Sequence, residues 1–363
     1  MTVPDPFDRS GVAPDGVPRP NRMRSVWAVF LLCAGAVLAI GPGIARSQSP
    51  DVERVLGERF GFSAGEVGQL RGGQRLVKAL PTRESGEIGV LGVVRIPDDK
   101  ERLVRWIRDV EDFRKQAELG LSRKLSSPPT LADFGDLALD AGELAALQKC
   151  QPGDCGLRLG DRAIARFRAE VDWGAPDAGD RASRLARQLM LGYAEAYLRG
   201  GDDALGAAHD QKKPRAVAQD FRALLRSATN LYALARPLAS YLERYPRSPL
   251  PGSEELLYWA KGSSGPEPSI TLHHQVITRD AGGGVYVADK QLYASRYTDG
   301  AVLVLWLGAP SDGKGYYLLA GLRARSHMLE GIAARVLRGR IEEEARSYTE
   351  IYLDWVRKSL VPA

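Results

Sequence analysis

The run AVLVLWL at residues 301–307 constrains the fold of this chain more than any other stretch. In an extended conformation Ala301, Leu303 and Leu305 point to one side, and Val302, Val304 and Trp306 to the other. A strand apolar on both sides requires a sheet that is covered on both faces. The neighbouring runs SITLHHQVIT (269–278), VYVADKQLYASRY (285–297) and YYLLAGLRAR (316–325) are also rich in β-branched and aromatic residues. They are separated by the turn sequences Gly282-Gly283-Gly284, Thr298-Asp299-Gly300 and Ser311-Asp312-Gly313. Turns this short join antiparallel neighbours, so the expected topology is a meander.

Beyond Arg325 the period changes from two to three or four. Leu337, Ile341, Ala345, Tyr348, Tyr352 and Trp355 recur at helical steps, while Glu342, Glu343, Arg346, Glu350 and Arg357 fall mostly between them. This predicts an amphipathic terminal helix of about five turns, long enough to lie across a curved sheet. It covers one face only, so an earlier part of the chain must cover the other.

Upstream, Ser63 and Glu66 have capping-box spacing at the start of a short helix that Gly72-Gly73 ends. Residues 74–80 form an expected strand. EIGVLGVVRI (87–96) reads as a strand approached closely by other backbone, because its glycines leave room. Pro97-Asp98-Asp99 then starts a helix with the stripe Leu103, Trp106, Ile107, Val110 and Phe113. From 130 to 253 strand signals almost vanish. Asp140 with Glu143 and then Asp161 are expected helix caps, residues 180–199 form a longer helix, Pro214 introduces another carrying Val217, Phe221, Leu224 and Leu231, and 238–245 ends at Pro246. The expected organisation is a disordered tail (1–25), a signal peptide (26–45), an N-terminal strand and helix part (50–129), an all-helical insert (130–253) covering the far sheet face, and the sheet with its terminal helix (254–360).

Charge narrows the function classes. The formal net charge is +5, and residues 1–46 carry five Arg and three Asp, so removing them leaves +3. With charges alternating in sign along the helices, this is a solvated surface and not a nucleic-acid footprint, which needs clustered Lys and Arg with an aromatic platform.

The N-terminal segment points to export. Arg22-Met23-Arg24 precedes VWAVFLLCAGAVLAIG (26–41), an uncharged run of sixteen, and Gly43-Ile44-Ala45 places small residues where cleavage needs them. Met23 is an expected alternative start, because a signal rarely follows so long a polar prefix. Leu32 before Cys33 is unsuited to lipoprotein processing. The expected location is periplasmic or secreted. The alternative is an uncleaved anchor, through which alone the protein would meet a membrane. Cys150 and Cys155 flank a tight Pro-Gly turn in KCQPGDC and are expected to form a local disulfide in an oxidising compartment, with a redox-active pair as the alternative. Gly156 stands where haem attachment needs His, and the four histidines lack structural-zinc spacing.

The order of elements, EIGVLGVVRI, then PDDKERLVRWIRDVEDF, then antiparallel strands and one long terminal helix, resembles the START-like, or helix-grip, superfamily of hydrophobic-ligand-binding domains. The resemblance covers residues 87–113 and 269–360, roughly a third of the chain, and the helical block is much larger than its usual members carry. It implies an α+β fold in which a curved antiparallel sheet grips the terminal helix around a cavity for a lipid, sterol or polyketide-like ligand. It carries over no catalytic residue.

No catalytic constellation competes with that implication. His273 and His274 are neighbours on a strand and point to opposite faces, so they are expected to be half-buried polar side chains and not joint ligands of an ion. His209 and His327 have no hydrolase setting, and neither a Gly-x-Ser-x-Gly elbow nor His-Glu-x-x-His is present. Asp98-Asp99, Asp202-Asp203 and the group Asp133, Asp136 and Asp140 sit where helices and turns begin, which capping explains. No cofactor is expected.

Aromatics crowd the sheet and terminal helix: Tyr286, Tyr293, Tyr297, Trp306, Tyr316, Tyr317, Tyr348, Tyr352 and Trp355. Tyr and Trp bring polar tips that need partners, which either a pocket or a core with its tips at the surface supplies. The expected ligand-binding set is Tyr293, Tyr297, Trp306, Tyr317, Tyr352 and Trp355 with Arg296 and Arg323; Arg325 is a further candidate for a ligand carboxylate or headgroup. Three function classes follow: a binder of a lipid-like or other apolar ligand, a structural or adaptor protein of the cell envelope, and a hydrolase or transferase with an unrecognised site. Protein partners are not indicated. N-terminal sequencing of the mature protein should find a first residue just after Ala45, and one before Val26 would overturn both cleavage and export.

Overall fold

The computed structural model describes residues 51–228, 235–263, 267–331 and 334–360. The expected tail and signal peptide lie outside these residues, as does Leu231. Helices α1 (Val52–Phe60) and α2 (Ala64–Arg71) come first. The Ser63–Glu66 capping box is formed in both directions, and α2 ends at Gly72. Strands β1 (Leu76–Ala79) and β2 (Glu87–Ile96) follow, the latter with the bounds its sequence predicts.

The helix expected after Pro97 is two helices, α3 (Lys100–Arg108) and α4 (Val110–Gln116). Asp109 breaks it: with ψ at 74° it leaves the helical region, and its carboxylate accepts the Asp112 backbone N–H to cap α4. The apolar stripe survives the break, and Trp106 and Phe113 meet edge to face at 5.6 Å.

After β3 (Leu121–Lys124), a strand without a sequence signal, the middle segment holds α5 (Ala141–Lys149), α6 (Asp161–Glu170), α7 (Ala178–Gly200), α8 (Val217–Ser227) and α9 (Arg236–Arg244). It is not all-helical. A two-stranded ribbon, β4 (Ala207–Ala208) with β5 (Arg215–Ala216), interrupts it. Asp140 and Glu143 form the expected capping box, whereas Gly160 and not Asp161 occupies the cap of α6. The C-terminal part holds β6 (Glu254–Ser263), β7 (Pro268–Arg279), β8 (Val285–Ala294), β9 (Gly300–Gly308), β10 (Tyr316–Arg325) and α10 (Ala334–Leu360).

The protein is therefore α+β, built on one eight-stranded antiparallel sheet in the order β1-β2-β10-β9-β8-β7-β6-β3. Strands β7 to β10 form the expected meander, β6 adds a strand at its start, and β2 pairs along the whole of β10, from Tyr316 with Ile96 to Arg325 with Glu87. On the first face Val94, Ile96, Val287, Leu305, Leu307 and Leu318 share a core with Leu103 and Ile107 of α3 and with Leu353, Val356 and Leu360 of α10. On the second face Leu91, Val93, Val302, Val304, Trp306 and Leu319 pack with Val52 and Leu56 of α1, Leu70 of α2, Phe221 of α8 and Leu238 of α9. Leu257, Trp259, Ile270, Leu272 and Leu292 continue that face into a core with α5, α6 and α7. AVLVLWL thus divides between two cores as its alternation requires.

Charged groups tie the middle segment to the sheet. Asp299, before β9, lies between Arg158 (3.8 Å), Arg215 (3.4 Å) and His327 (2.9 Å), while Asp220 of α8 forms an ion pair with Arg325 of β10 at 2.9 Å. On the second face the buried Lys290 ammonium pairs with Asp202 at 2.6 Å and lies 3.8 Å from the Phe221 ring.

Helix α10 rests on β2 at a glycine. A Cβ on Gly92 would lie 2.5 Å from Cγ2 of Thr349 and 2.7 Å from Cδ1 of Leu353. Gly92→Ala should destabilise the fold by about 1–3 kcal/mol through overpacking. Adding Thr349→Ala, which removes the nearest methyl, should recover part of the loss as a coupling term. Urea denaturation of the two single variants and the double variant checks this, and an unchanged Gly92→Ala variant would contradict the contact.

Candidate functional site

Helix α10 seats on the β2 side of the first face, and β8, β7 and β6 lie three to five strands from β2. Between them is a cavity of about 940 Å³. Val287, Leu303, Leu305, Ala320 and Leu322 line it from the sheet, Ile107, Val110 and Phe113 from α3 and α4, and Ile341, Ala345, Tyr348 and Tyr352 from α10. Met328 and Tyr348 both line the cavity and are about half exposed, so it reaches the surface beside them.

One polar cluster is set in these apolar walls. Tyr258 of β6 and His273 of β7 are cross-strand partners whose rings stack at 4.6 Å and 7°. Asp289 of β8 joins both: its Oδ1 lies 2.7 Å from His273 Nδ1, and its Oδ2 accepts from the Tyr258 hydroxyl. The Arg114 guanidinium of α4 stands 5.9 Å from the Tyr258 ring centre and donates to the Leu119 carbonyl at 2.9 Å. Burial by itself raises the Asp289 carboxyl, but His273, the Tyr258 hydroxyl and Arg114 outweigh it and hold the group below its ordinary value. Burial, with the Asp289 charge beside it, pushes the Tyr258 phenol well above its ordinary value, so it remains a donor.

Of the residues expected to bind ligand, Tyr297 and Tyr352 line this cavity. Tyr297 also accepts the Glu267 backbone N–H at 3.0 Å, and Tyr352 packs at 6.3 Å from Phe113. The other six lie elsewhere. Trp306 and Tyr317 have the wrong parity: both face the second core, where Trp306 stacks on Tyr286 at 5.9 Å and Tyr317 donates to Glu53 of α1 at 2.9 Å. Tyr293 is turned by a bulge. The register of β7 with β8 shifts between Leu272 and His273, Leu292 is the extra residue, and Tyr293 meets Tyr193 of α7 at 5.5 Å on the second face. Trp355 stacks on Trp106 at 5.0 Å in the first-face core. Arg296 is paired with Glu267 at 2.6 Å, and Arg323 donates to the Pro81 carbonyl at 2.9 Å. Arg325 borders the cavity, but its guanidinium is engaged by Glu84 and Asp220.

The two histidines do take opposite faces, with unequal burial. His274 is fully buried and not half-buried, held by the Tyr197 hydroxyl at 2.8 Å and Glu255 at 3.0 Å. Burial lowers its pKa against the opposing pull of Glu255. Cys150 and Cys155 are joined in a disulfide. Among the described residues no cluster of three or more His, Cys, Asp or Glu is arranged to hold a metal, and no helix is long and apolar enough to cross a membrane.

Arg114, Tyr258, His273 and Asp289 were not among the expected binding residues. Two signals in the sequence mark two of them: Asp289 is the lone acid in the otherwise apolar start of β8, and EELLYWAK alternates between Leu256, Tyr258 and Ala260 on one side and Leu257 and Trp259 on the other.

Fold and site together define a class: an α+β protein with an antiparallel sheet, a long C-terminal helix packed on it, and a largely apolar cavity carrying one buried polar cluster. No family model, no curated protein and no solved structure matches the chain.

Because the Asp289 carboxyl is depressed in the folded state, its contribution to stability is complete above the ordinary carboxylate range and is lost as pH falls through the lowered value. Asp289→Asn should cost about 2 kcal/mol at neutral pH and flatten the acid limb of stability. Urea unfolding at about pH 7 and about pH 2.5 measures both, and parallel pH profiles for the two proteins would contradict the assignment.

Proposed function

We propose that this chain is an exported binding protein, periplasmic or secreted, that holds a lipid-like or other apolar small molecule between its sheet and α10 without transforming it. The observation that carries the reading is the cavity of about 940 Å³. Binding sites for molecules of lipid size are concave, mostly apolar and furnished with a few oriented polar groups, and the walls and the His273–Asp289–Tyr258 cluster meet that description. In this reading the sheet bends around α10 as in the START-like superfamily, and the half-exposed Met328 and Tyr348 mark the way in.

An envelope adaptor without a small-molecule site would instead present a broad apolar patch on the segment 130–253. Among the described residues of that segment, Leu131 is the only large apolar side chain that is exposed. The same segment turns its apolar side chains inward against the sheet.

Mass spectrometry of molecules extracted from freshly purified protein should reveal a bound apolar or amphipathic species. Leu303→Trp, which fills the cavity from β9, should lower its occupancy at least about tenfold with little change in thermal stability. A wild-type protein that carries nothing and takes up no added acyl-chain compound would sink the reading.

A further inference from the structure

The polar groups in the cavity wall are mostly satisfied by the protein itself. Thr271 donates to the Ala260 carbonyl at 3.3 Å, Gln275 to the Ile107 carbonyl at 3.1 Å, Thr349 to the Ala345 carbonyl at 2.7 Å, and Tyr258 to Asp289. His273 differs. Its Nδ1 is held at 2.7 Å by Asp289 and its ring lies flat on Tyr258, while Nε2 has no hydrogen-bond partner among the described residues.

The chemistry of the partner fixes the role of that atom. An ionised carboxylate only accepts, so Nδ1 is the donor toward Asp289, and Nε2 of the neutral ring is an acceptor. Two contacts therefore hold the ring in one orientation and one tautomer, with the stacked Tyr258 preventing rotation. An acceptor held in apolar surroundings gains most from a ligand that brings a donor. Gln291, the cross-strand partner of His273, stands beside it on the cavity wall, and its amide is able to donate to the same ligand oxygen.

Charge argues against an anionic head. Arg114 and Asp289 oppose one another here. A ligand carboxylate would add a negative charge near Asp289 in a poorly hydrated space, with the desolvation cost that follows.

We infer that the ligand is a neutral apolar molecule bearing a hydroxyl group, aliphatic or phenolic, whose O–H donates to His273 Nε2; this rests on the cavity reading above. His273 is then the residue that sets specificity, with Asp289 and Tyr258 positioning it.

Equilibrium dialysis of the full chain at about pH 8 against dodecan-1-ol, its isomer 1-methoxyundecane and dodecanoate tests this. The two isomers share size and composition and differ in the donor. The alcohol should bind about tenfold more tightly than the ether and more tightly than dodecanoate. His273→Phe should abolish the difference between the isomers by weakening the alcohol alone, with ether binding unchanged. Equal binding of the isomers, or tighter binding of dodecanoate than of the alcohol, overturns the hydroxyl anchor and leaves the cavity reading standing. Failure of all three to bind overturns both. The comparison of isomers on the wild-type protein decides the question even where His273→Phe does not fold.

Discussion

Burial on both faces of one sheet is the requirement from which the rest of the architecture follows. Strands such as β9, with Leu305 and Leu307 on one side and Val304 and Trp306 on the other, cannot leave either face in water. Each fully buried Leu, Val or Phe contributes roughly 1.5–3 kcal/mol, so two separate helical coverings are worth their ordering cost. The coverings differ in extent. A single helix is about 10 Å wide, while eight strands at about 4.8 Å spacing span more than three times that. The second face is met by α1, α2, α8 and α9 and by α5 to α7. The first has α10 with α3 and α4, and the part they do not fill is the cavity. The candidate site is thus what remains when α10, with the short α3 and α4, covers a sheet too broad for them.

The charged contacts between the middle segment and the sheet serve a different end. Arg158, Arg215 and Asp220 come from that segment, Asp299, Arg325 and His327 from the sheet and its exit. Arg158, Asp220 and Asp299 are nearly inaccessible, and buried ion pairs of this kind recover little more than their desolvation cost. Their geometry instead fixes how the segment sits on the sheet. An apolar interface alone would tolerate sliding, but a misplaced segment would bury these charges without partners.

Much of this was legible along the chain. The bounds of β2, the capping boxes of α2 and α5, the meander from β7 to β10, the terminal helix and the two-sided burial of AVLVLWL all follow from local pattern. Each depends on residues a few positions apart. The residues that line the cavity were legible only in part. Tyr297 and Tyr352 do line the cavity, because strand exits and helix stripes have simple periodicity. Tyr293 does not, because a single extra residue, Leu292, reverses parity in β8, and nothing in VYVADKQLYA announces a bulge. Trp306 and Tyr317 share an aromatic composition with pocket residues but belong to the opposite face. The paired helices α3 and α4 read as one helix because Asp109 is as acceptable within a helix as at its cap.

What the sequence determined by itself is most of the longer elements, the antiparallel order of the late strands and the need for cover on both faces. Periodicity and turn chemistry are short-range and act before distant segments meet. Tertiary structure alone decided which helix covers which face, that Gly92 seats α10 beside β2, and that residues 258, 273 and 289 join in one cluster with Arg114 at its edge. These contacts link positions far apart in the chain. They follow from strand register and helix width, which are set only when the whole sheet has formed.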